Sequence, residues 1–581
     1  MLGFKTLNNL ILVFKTKWLY FFLLTGLALT TIFVRFYQFG RVPTSLYWDE
    51  MAIWNDAQSV SQTGRDMHNR FWLQPLFISY GDYKLPFYIW LTSLVSLITD
   101  NALVGTRLVS SLAGLSMIVG VYFLGKRLSS SKITALLCAI SLATLPWSIH
   151  FSRLGFEGHL AAAFLLWSLV GLFYLRDYHS LTAKTNQTRT MNFVKLMLIY
   201  ASILTPAIAG FYSYFSFRFV WPALTLVVTV LWWSRIKHHW LGLLLTGLFW
   251  LGATWPMFNT DFYQASNQFR LSTNNILNQP DIPIQVNWWR ENLGNSPIAR
   301  LLYNRLTFFA KELWWQMLNF FDPAYLFLTG DKNLRHGSGF FGLTWFFSLP
   351  LLIWGIISSW RHDKRTLGFL GAWWLIGILP AAVPLETPHA LRSLNALPVI
   401  PLFMAIGGVN LYKVLSGSLL SLGKLGVVQL NKVVVLVIGF LISVEFLMGY
   451  YHYFSTYSRT SALDWQEGYH QLATYLSQNH NQFSAIGVNI GDDRFFLYYQ
   501  PLSELDWNQI QQLPSDGFKR RQIENIYFEP DDSFFINHPD GVMIRPVSKI
   551  NNEKNPYEIM AMINNTWDEP VFFVIDINGL N

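Results

Sequence analysis

Charge is scarce in this chain of 581 residues: Asp, Glu, Lys and Arg make up 13% of it, about half the roughly 25% of an ordinary soluble domain. With 52% hydrophobic and 17% aromatic residues, it does not have the composition of a water-soluble globule. Cysteine is almost missing. The single Cys138 lies inside an apolar run, which excludes an intrachain disulfide, a thiolate zinc cluster and a redox pair and leaves the redox compartment unread. Internal repeats and low-complexity tracts are absent as well. Without inverted repeats or paired broken helices, the pattern expected of many secondary transporters is missing.

What the chain does have is a series of apolar runs. Stretches of about 17 to 25 residues, long enough to cross a bilayer as helices, lie near 18–37, 104–125, 131–149, 159–175, 196–213, 217–234, 240–256, 339–358, 366–384, 395–412 and 433–451. The expected fold is therefore an all-α polytopic membrane protein with about 11 transmembrane helices. The first run, from Trp18 to about Tyr37, is longer than a signal-peptide core and has no small-residue cleavage site before Arg41; it is read as a retained helix.

The net charge of +8 raises nucleic acid as a partner, and the placement of the charges removes it. If the first run crosses outward, the segments 1–17, 126–132, 176–195, 235–239, 361–365 and 413–432 face inward. They hold 18 Lys and Arg, starting with Lys5, Lys15 and Lys17, against two acids, Asp177 and Asp363. Basic residues concentrate in short cytoplasmic loops, so the excess is a topology signal. It places the amino terminus in the cytoplasm and, after an odd number of crossings, the carboxyl terminus outside. Residues 1–451 are expected to form the membrane domain and 452–581 an extracytoplasmic domain.

Three outward regions are too large to be connections. In the first, 38–103, Asp49 and Glu50 open a helix that ends at Gly64, where acids favour the positive end of the helix dipole. The apolar stretch from Leu85 to Ile98 is too short to cross and is read as interfacial or re-entrant. The second, 257–338, carries SPIARLLYNRLTFFAKELWWQMLNFF, basic and aromatic at helical spacing, which suits the membrane surface. The third, 452–581, holds 17 acidic against 8 basic residues. Its DWQEGYHQLATYLSQ reads as a helix, and AIGVNI and VFFVIDI read as strands, giving a small α/β domain.

Ionisable groups beside hydrocarbon are costly unless paired or hydrated, and they accumulate on the outward lip: Asp49, Glu50, Asp82, Lys84, Arg107, Arg153, Glu157, Arg335, His336, Glu386, His389 and Arg392. Acids together with cations suit attack on an anionic, lipid-linked donor. A carboxylate accepts a proton from an incoming hydroxyl, while Lys and Arg stabilise charge on a departing phosphate. Each residue also has a plainer reading. The acid pair suits a helix start, Lys84 suits snorkelling, and Arg107 and Arg153 suit headgroup binding or helix bridging. His336 and His389 read as loop hydrogen-bonders ahead of metal ligands, and Glu157 as a partner for Arg153.

The order of motifs resembles the GT-C membrane glycosyltransferases, particularly the protein O-mannosyltransferase and aminoarabinose transferase group. The resembling strings are WDE at 48–50 followed by TGRD, GDYKLPFYIW at 81–90, TRLVSSLAGL at 106–115, SRLGFEGH at 152–159, GDKNLRHGSG at 330–339 and PHALRS at 388–393. The resemblance implies inverting transfer of a sugar from a polyprenyl-phosphate donor on the extracytoplasmic face. It implies Asp49 as catalytic base with Glu50 beside it, and Lys84, Arg107 and Arg153 as donor-phosphate contacts. Asp82, Glu157, Arg335, His336, His389 and Arg392 are accessory candidates. The chain departs from the pattern in lacking a paired proline after Lys84, in having Glu157 where many relatives have an Asp, and in a tail that matches no motif. A transporter or lipid flippase and a non-catalytic envelope assembly protein are the competing readings. The implied partners are the bilayer, the polyprenyl-phosphate-linked sugar and an unidentified acceptor. No cofactor is required. Asp49 and Glu50 offer carboxylate oxygens to a divalent ion but form no closed ligand set, so metal use stays open.

Overall fold

The computed structural model describes residues 21–576 other than 23, 80–81, 183–187, 273–274, 419–425, 492, 516–519, 532 and 551–557. Lys5, Lys15, Lys17 and the start of the first apolar run lie outside the described residues.

Every one of the eleven apolar runs carries a helix. Among the described residues six are long and apolar enough to cross a bilayer: Ala102–Ser129, Glu157–Arg176, Arg189–Phe211, Trp233–Phe258, Leu394–Val414 and Leu436–Ser455. Leu24–Phe36, Lys132–Thr144 and Phe217–Leu231 are apolar but shorter. Two runs depart from their expected bounds for local reasons. The run at 131–149 breaks at Leu145, which is extended because the Pro146 ring disfavours helix at the residue before it; Pro146 then opens the Pro146–Phe151 helix. The run at 339–358 becomes helical only at Leu349–His362. Its Gly-rich start packs instead on the Ala324–Leu328 segment, where Thr344 N–H donates to the Leu326 carbonyl (2.9 Å).

The chain divides into two compact units. One comprises the described part of Met1–Phe39 with Ser110–Trp255 and Leu271–His452. Its Glu157–Arg176 helix is buried on nearly every side. Apolar packing alone gives little specificity between helices in lipid, so small residues and interhelical hydrogen bonds matter. Both occur here. The Trp221 indole N–H donates to Ser168 Oγ (2.7 Å), which donates to the Ile203 carbonyl (2.9 Å). Gly355 and Gly407 let Leu349–His362 and Val399–Ser418 meet backbone to backbone: a Cβ on Gly355 would run into the Phe403 carbonyl, and one on Gly407 into that of Leu351. At one rim Asp177 takes a two-point contact from Arg176 (2.8 Å each) and lies within 3.7 Å of Arg127 and 3.6 Å of Arg235. Three segments expected on the same membrane face thus meet at one acid.

The other unit comprises Gly40–Val109, Pro256–Arg270 and Tyr453–Asn581. Its helix Trp48–Thr63 ends at Gly64, whose φ of 71° is the left-handed conformation that glycine adopts without strain. Strands β1 (Phe77–Ser79) and β2 (Asp82–Lys84) pair antiparallel, and the apolar Pro86–Ser96 helix follows. The tail carries β3 (Ile486–Val488), β4 (Gln522–Ile523), β5 (Ile526–Phe528), β6 (Val542–Pro546), β7 (Ile559–Asn564) and β8 (Pro570–Asp576) in the order β4-β5-β3-β6-β8-β7. β3 runs parallel to both neighbours, and the remaining pairs are antiparallel. The two strands read from the sequence are β3 and β8; the expected helix is confined to Tyr469–Asn479, because Gly468 at φ 98° interrupts it. Leu46, Met51, Ala52 and Met67 belong to the same core as the tail's Leu472, Ile486, Phe528 and Val574.

Candidate active site

The Trp48–Thr63 helix presents its carboxylates through helical spacing. Seven residues at about 100° each come within about 20° of two full turns, so Asp49 and Asp56 share one face. Asp49 is the accessible one, 36% exposed, and its Oδ1 accepts from Lys84 Nζ at 2.8 Å. Lys84 reaches it from the last position of β2, just before Pro86 starts the next helix. Asp82 lies in the same strand, opposite Ser79.

Glu50 lies on a different side of the helix and is fully buried. Arg107 grips it with two parallel bonds, Nε to Oε1 and Nη2 to Oε2, both 2.9 Å. The same guanidinium donates to the carbonyls of Pro43 (2.7 Å) and Ser45 (2.6 Å), and its face lies 5.3 Å from the Trp465 ring. Glu50 also accepts from the Tyr47 N–H (3.2 Å), closing the helix start. This is a buried strut: four hydrogen bonds run from the Arg107 guanidinium to protein oxygens. The approach that makes the strut possible depends on Gly105, where a Cβ would enter the Trp54 ring.

The tail completes the helix start. The Trp48 N–H donates to Gln466 Oε1 (2.9 Å), and the Tyr498 hydroxyl reaches both that oxygen (2.5 Å) and the Leu46 carbonyl (2.8 Å). The Arg494 guanidinium stacks on Trp48, next to Asp49. No sequence motif marked Trp465, Gln466, Arg494 or Tyr498. Asp56 and Asp66 were missed too, although Asp56 has the helical register of Asp49 and Asp66 closes the TGRD string. Asp66 accepts from Arg70 Nε (2.9 Å) and Gln74 (2.7 Å). Behind the helix, Met51, Trp54 and Gln58 line a cavity of about 600 Å³ together with Asp100, Asn101, Glu467 and His470.

Asp56 is fully buried, accepts from the Met67 N–H at 3.2 Å, and its Oδ2 has no hydrogen-bond partner among the described residues. Burial first and the neighbouring Asp66 second push its carboxyl well above the ordinary 3.8, against Arg70 and Lys84. The folded state then binds more protons than the unfolded chain between 3.8 and the raised value, so stability falls as pH rises through that window. The slope is at most about 1.4 kcal/mol per pH unit. Thermal unfolding of Asp56→Asn in detergent is expected to show a higher Tm than wild type at neutral pH and convergence below pH 3.8; parallel curves across pH would contradict it.

The remaining expected site residues belong to the other unit. Arg153 is buried and donates to the carbonyls of Val34 (3.2 Å), Arg35 (2.8 Å) and Gln38 (3.2 Å). Arg35, unmarked in the sequence, is equally buried and donates to Ala143 O, Ser148 Oγ and Ser152 Oγ. Glu157 starts its helix. His336 and His389 lie with their rings 4.3 Å apart beside Asp331, Arg392 is 3.8 Å from Glu386, and the Arg335 carbonyl bonds to His150 Nε2 (2.9 Å).

No family model and no curated protein matches the chain. Among solved structures it is similar to ArnT from Cupriavidus metallidurans in the apo state, with a TM-score of 0.51 and 14% identity over 96% of this chain and 98% of that one. The same protein bound to undecaprenyl phosphate gives 0.52 and 12% over 95% and 97%. Over nearly its whole length the chain therefore has the fold of ArnT.

Proposed function

We propose that the chain is an integral-membrane glycosyltransferase that moves a sugar from a polyprenyl-phosphate donor to an acceptor hydroxyl on the extracytoplasmic face, with inversion at the anomeric carbon. The observation that carries this reading is the Asp49–Lys84 pair at 2.8 Å, with Asp49 the exposed member. It sets a general base beside a cation. In the reaction Asp49 takes the proton of the attacking hydroxyl as the new C–O bond forms and the sugar–phosphate bond breaks. Phosphate leaves with its own charge, so no protonating acid is needed, and Lys84 stabilises that charge as it grows. A fold like that of a protein solved with undecaprenyl phosphate supports a lipid-linked donor.

Glu50, Arg107 and the tail act one step removed. They anchor the first turn of the Trp48–Thr63 helix and so fix where Asp49 points, as preorganised catalysis requires. In the same reading the chain crosses the membrane about eleven times, with its amino end in the cytoplasm and residues 452–581 outside with the active site.

The test is reconstitution of the purified protein with a panel of labelled polyprenyl-phosphate sugars and candidate acceptors, with products identified by mass and anomeric configuration. Transfer with inversion from at least one lipid-linked donor is expected. Lipid translocation without any new glycosidic bond would refute the proposal.

A further inference from the structure

Asp331, His336 and His389 come together from two loops of the bundle unit, and all three are buried. Asp331 Oδ2 lies 3.5 Å from His336 Nδ1 and 4.0 Å from His389 Nδ1, and the three ligand atoms all lie within 4.8 Å of one another. Zinc bonds to nitrogen and oxygen of about 2.0–2.2 Å separate neighbouring tetrahedral ligands by about 3.4 Å. The two Asp331–histidine spacings lie within about 0.6 Å of that value, and a bound ion would draw the wider pairs together.

His336 Nδ1 is buried, faces Asp331 Oδ2 at 3.5 Å, and among the described residues makes no closer hydrogen bond. His389 Nδ1 accepts from the Arg392 backbone N–H at 3.4 Å, a long bond that marks this nitrogen as unprotonated and that a bound ion would displace. The supports around the ligands are also built. Asp331 Oδ1 accepts from the Asn333 N–H (2.9 Å) and Oδ2 from the Ala390 N–H (2.8 Å), which aims the carboxylate and leaves Oδ2 a second lone pair. The His336 ring stacks on Phe151, and Phe156 meets it edge-on. Such contacts orient imidazole ligands as second-shell groups do in metal sites.

We propose that Asp331, His336 and His389 bind one divalent ion of the zinc type, with a fourth position left for water or an anionic oxygen. Two imidazoles and one carboxylate match zinc in preference to magnesium or calcium, which favour all-oxygen shells. Arg335 and Arg392 add positive charge nearby, and Glu386 offsets one of them at 3.8 Å; an ion whose fourth ligand is an anion suits these surroundings. The ion ties 330–336 to 388–393, two of the segments that carry family-like motifs. The site is independent of the sugar-transfer reading.

Full-length protein purified without a polyhistidine tag, stripped with chelator and titrated with Zn²⁺ tests the site by elemental analysis and by the visible spectrum of the Co²⁺-substituted form. About one equivalent per chain is expected. Asp331→Asn, His336→Asn and His389→Asn should each weaken binding at least tenfold, whereas Asp49→Asn should bind as wild type does. Chelator should lower the wild-type Tm and leave that of the His336→Asn/His389→Asn double variant unmoved. Wild-type protein that takes up no zinc in excess, or a double variant that keeps its equivalent, would overturn the assignment. If a variant fails to fold, zinc stoichiometry and the Co²⁺ spectrum of wild type decide alone: no stoichiometric, imidazole-type signal means no site.

Discussion

Purified Asp49→Asn protein is expected to insert and fold as wild type does and to lose transfer by about 10²- to 10⁴-fold, the usual contribution of a general base. The amide keeps the shape of the side chain and still accepts from Lys84 Nζ, which now lies 2.8 Å from Oδ1. Asp49 is 36% exposed, so the pair is a partly solvated one of modest worth, on the order of 1 kcal/mol or less. Stability should therefore change little. The loss should fall on kcat, with the KM for the lipid-linked sugar nearly constant, because the missing interaction forms only as the acceptor proton is transferred. Turnover within a few-fold of wild type would rule out Asp49 as the base. A large rise in donor KM at constant kcat would instead make it a binding residue.

Arg107→Met is expected to act the other way round, on folding before chemistry. It strands Glu50, which is fully buried, without the two 2.9 Å bonds it receives from Arg107, and it frees the carbonyls of Pro43 and Ser45. Breaking a buried pair from one side costs about 3–5 kcal/mol. That is enough to lower the Tm by several degrees and the yield of folded protein severalfold. Replacing both partners, as in Glu50→Leu with Arg107→Met, removes the stranded charge and should recover a large part of the stability. A phosphate-binding arginine would behave differently: the Tm would hold while the donor KM rose. Unfolding curves of the single and double variants, read beside donor KM, separate the two roles.

Much of the site was legible because its signals are local. Two acids at a helix start with Gly64 at its end set the bounds of Trp48–Thr63, and a lysine before Leu85-Pro86 marked the cation that meets Asp49. The protein partners of Arg107 and Arg153 were not legible. The sequence shows a cation at the end of an apolar run, and a guanidinium facing lipid phosphate reads the same as one that bonds backbone carbonyls. Asp56 was passed over for a similar reason, since a lone acid in mid-helix reads as a solvated face until burial is known.

By itself the sequence determined the membrane class, the positions of the apolar helices, the helix carrying Asp49 and two of the tail's strands, because hydropathy, caps and turn residues act over a few positions along the chain. Only the tertiary structure decided that Glu50 is buried under Arg107, that Gln466 and Tyr498 hold a helix start more than 400 residues away, and that Asp331 meets His336 and His389. Those pairings depend on desolvation and on distances of a few ångströms between segments remote in the chain, and no local pattern encodes either.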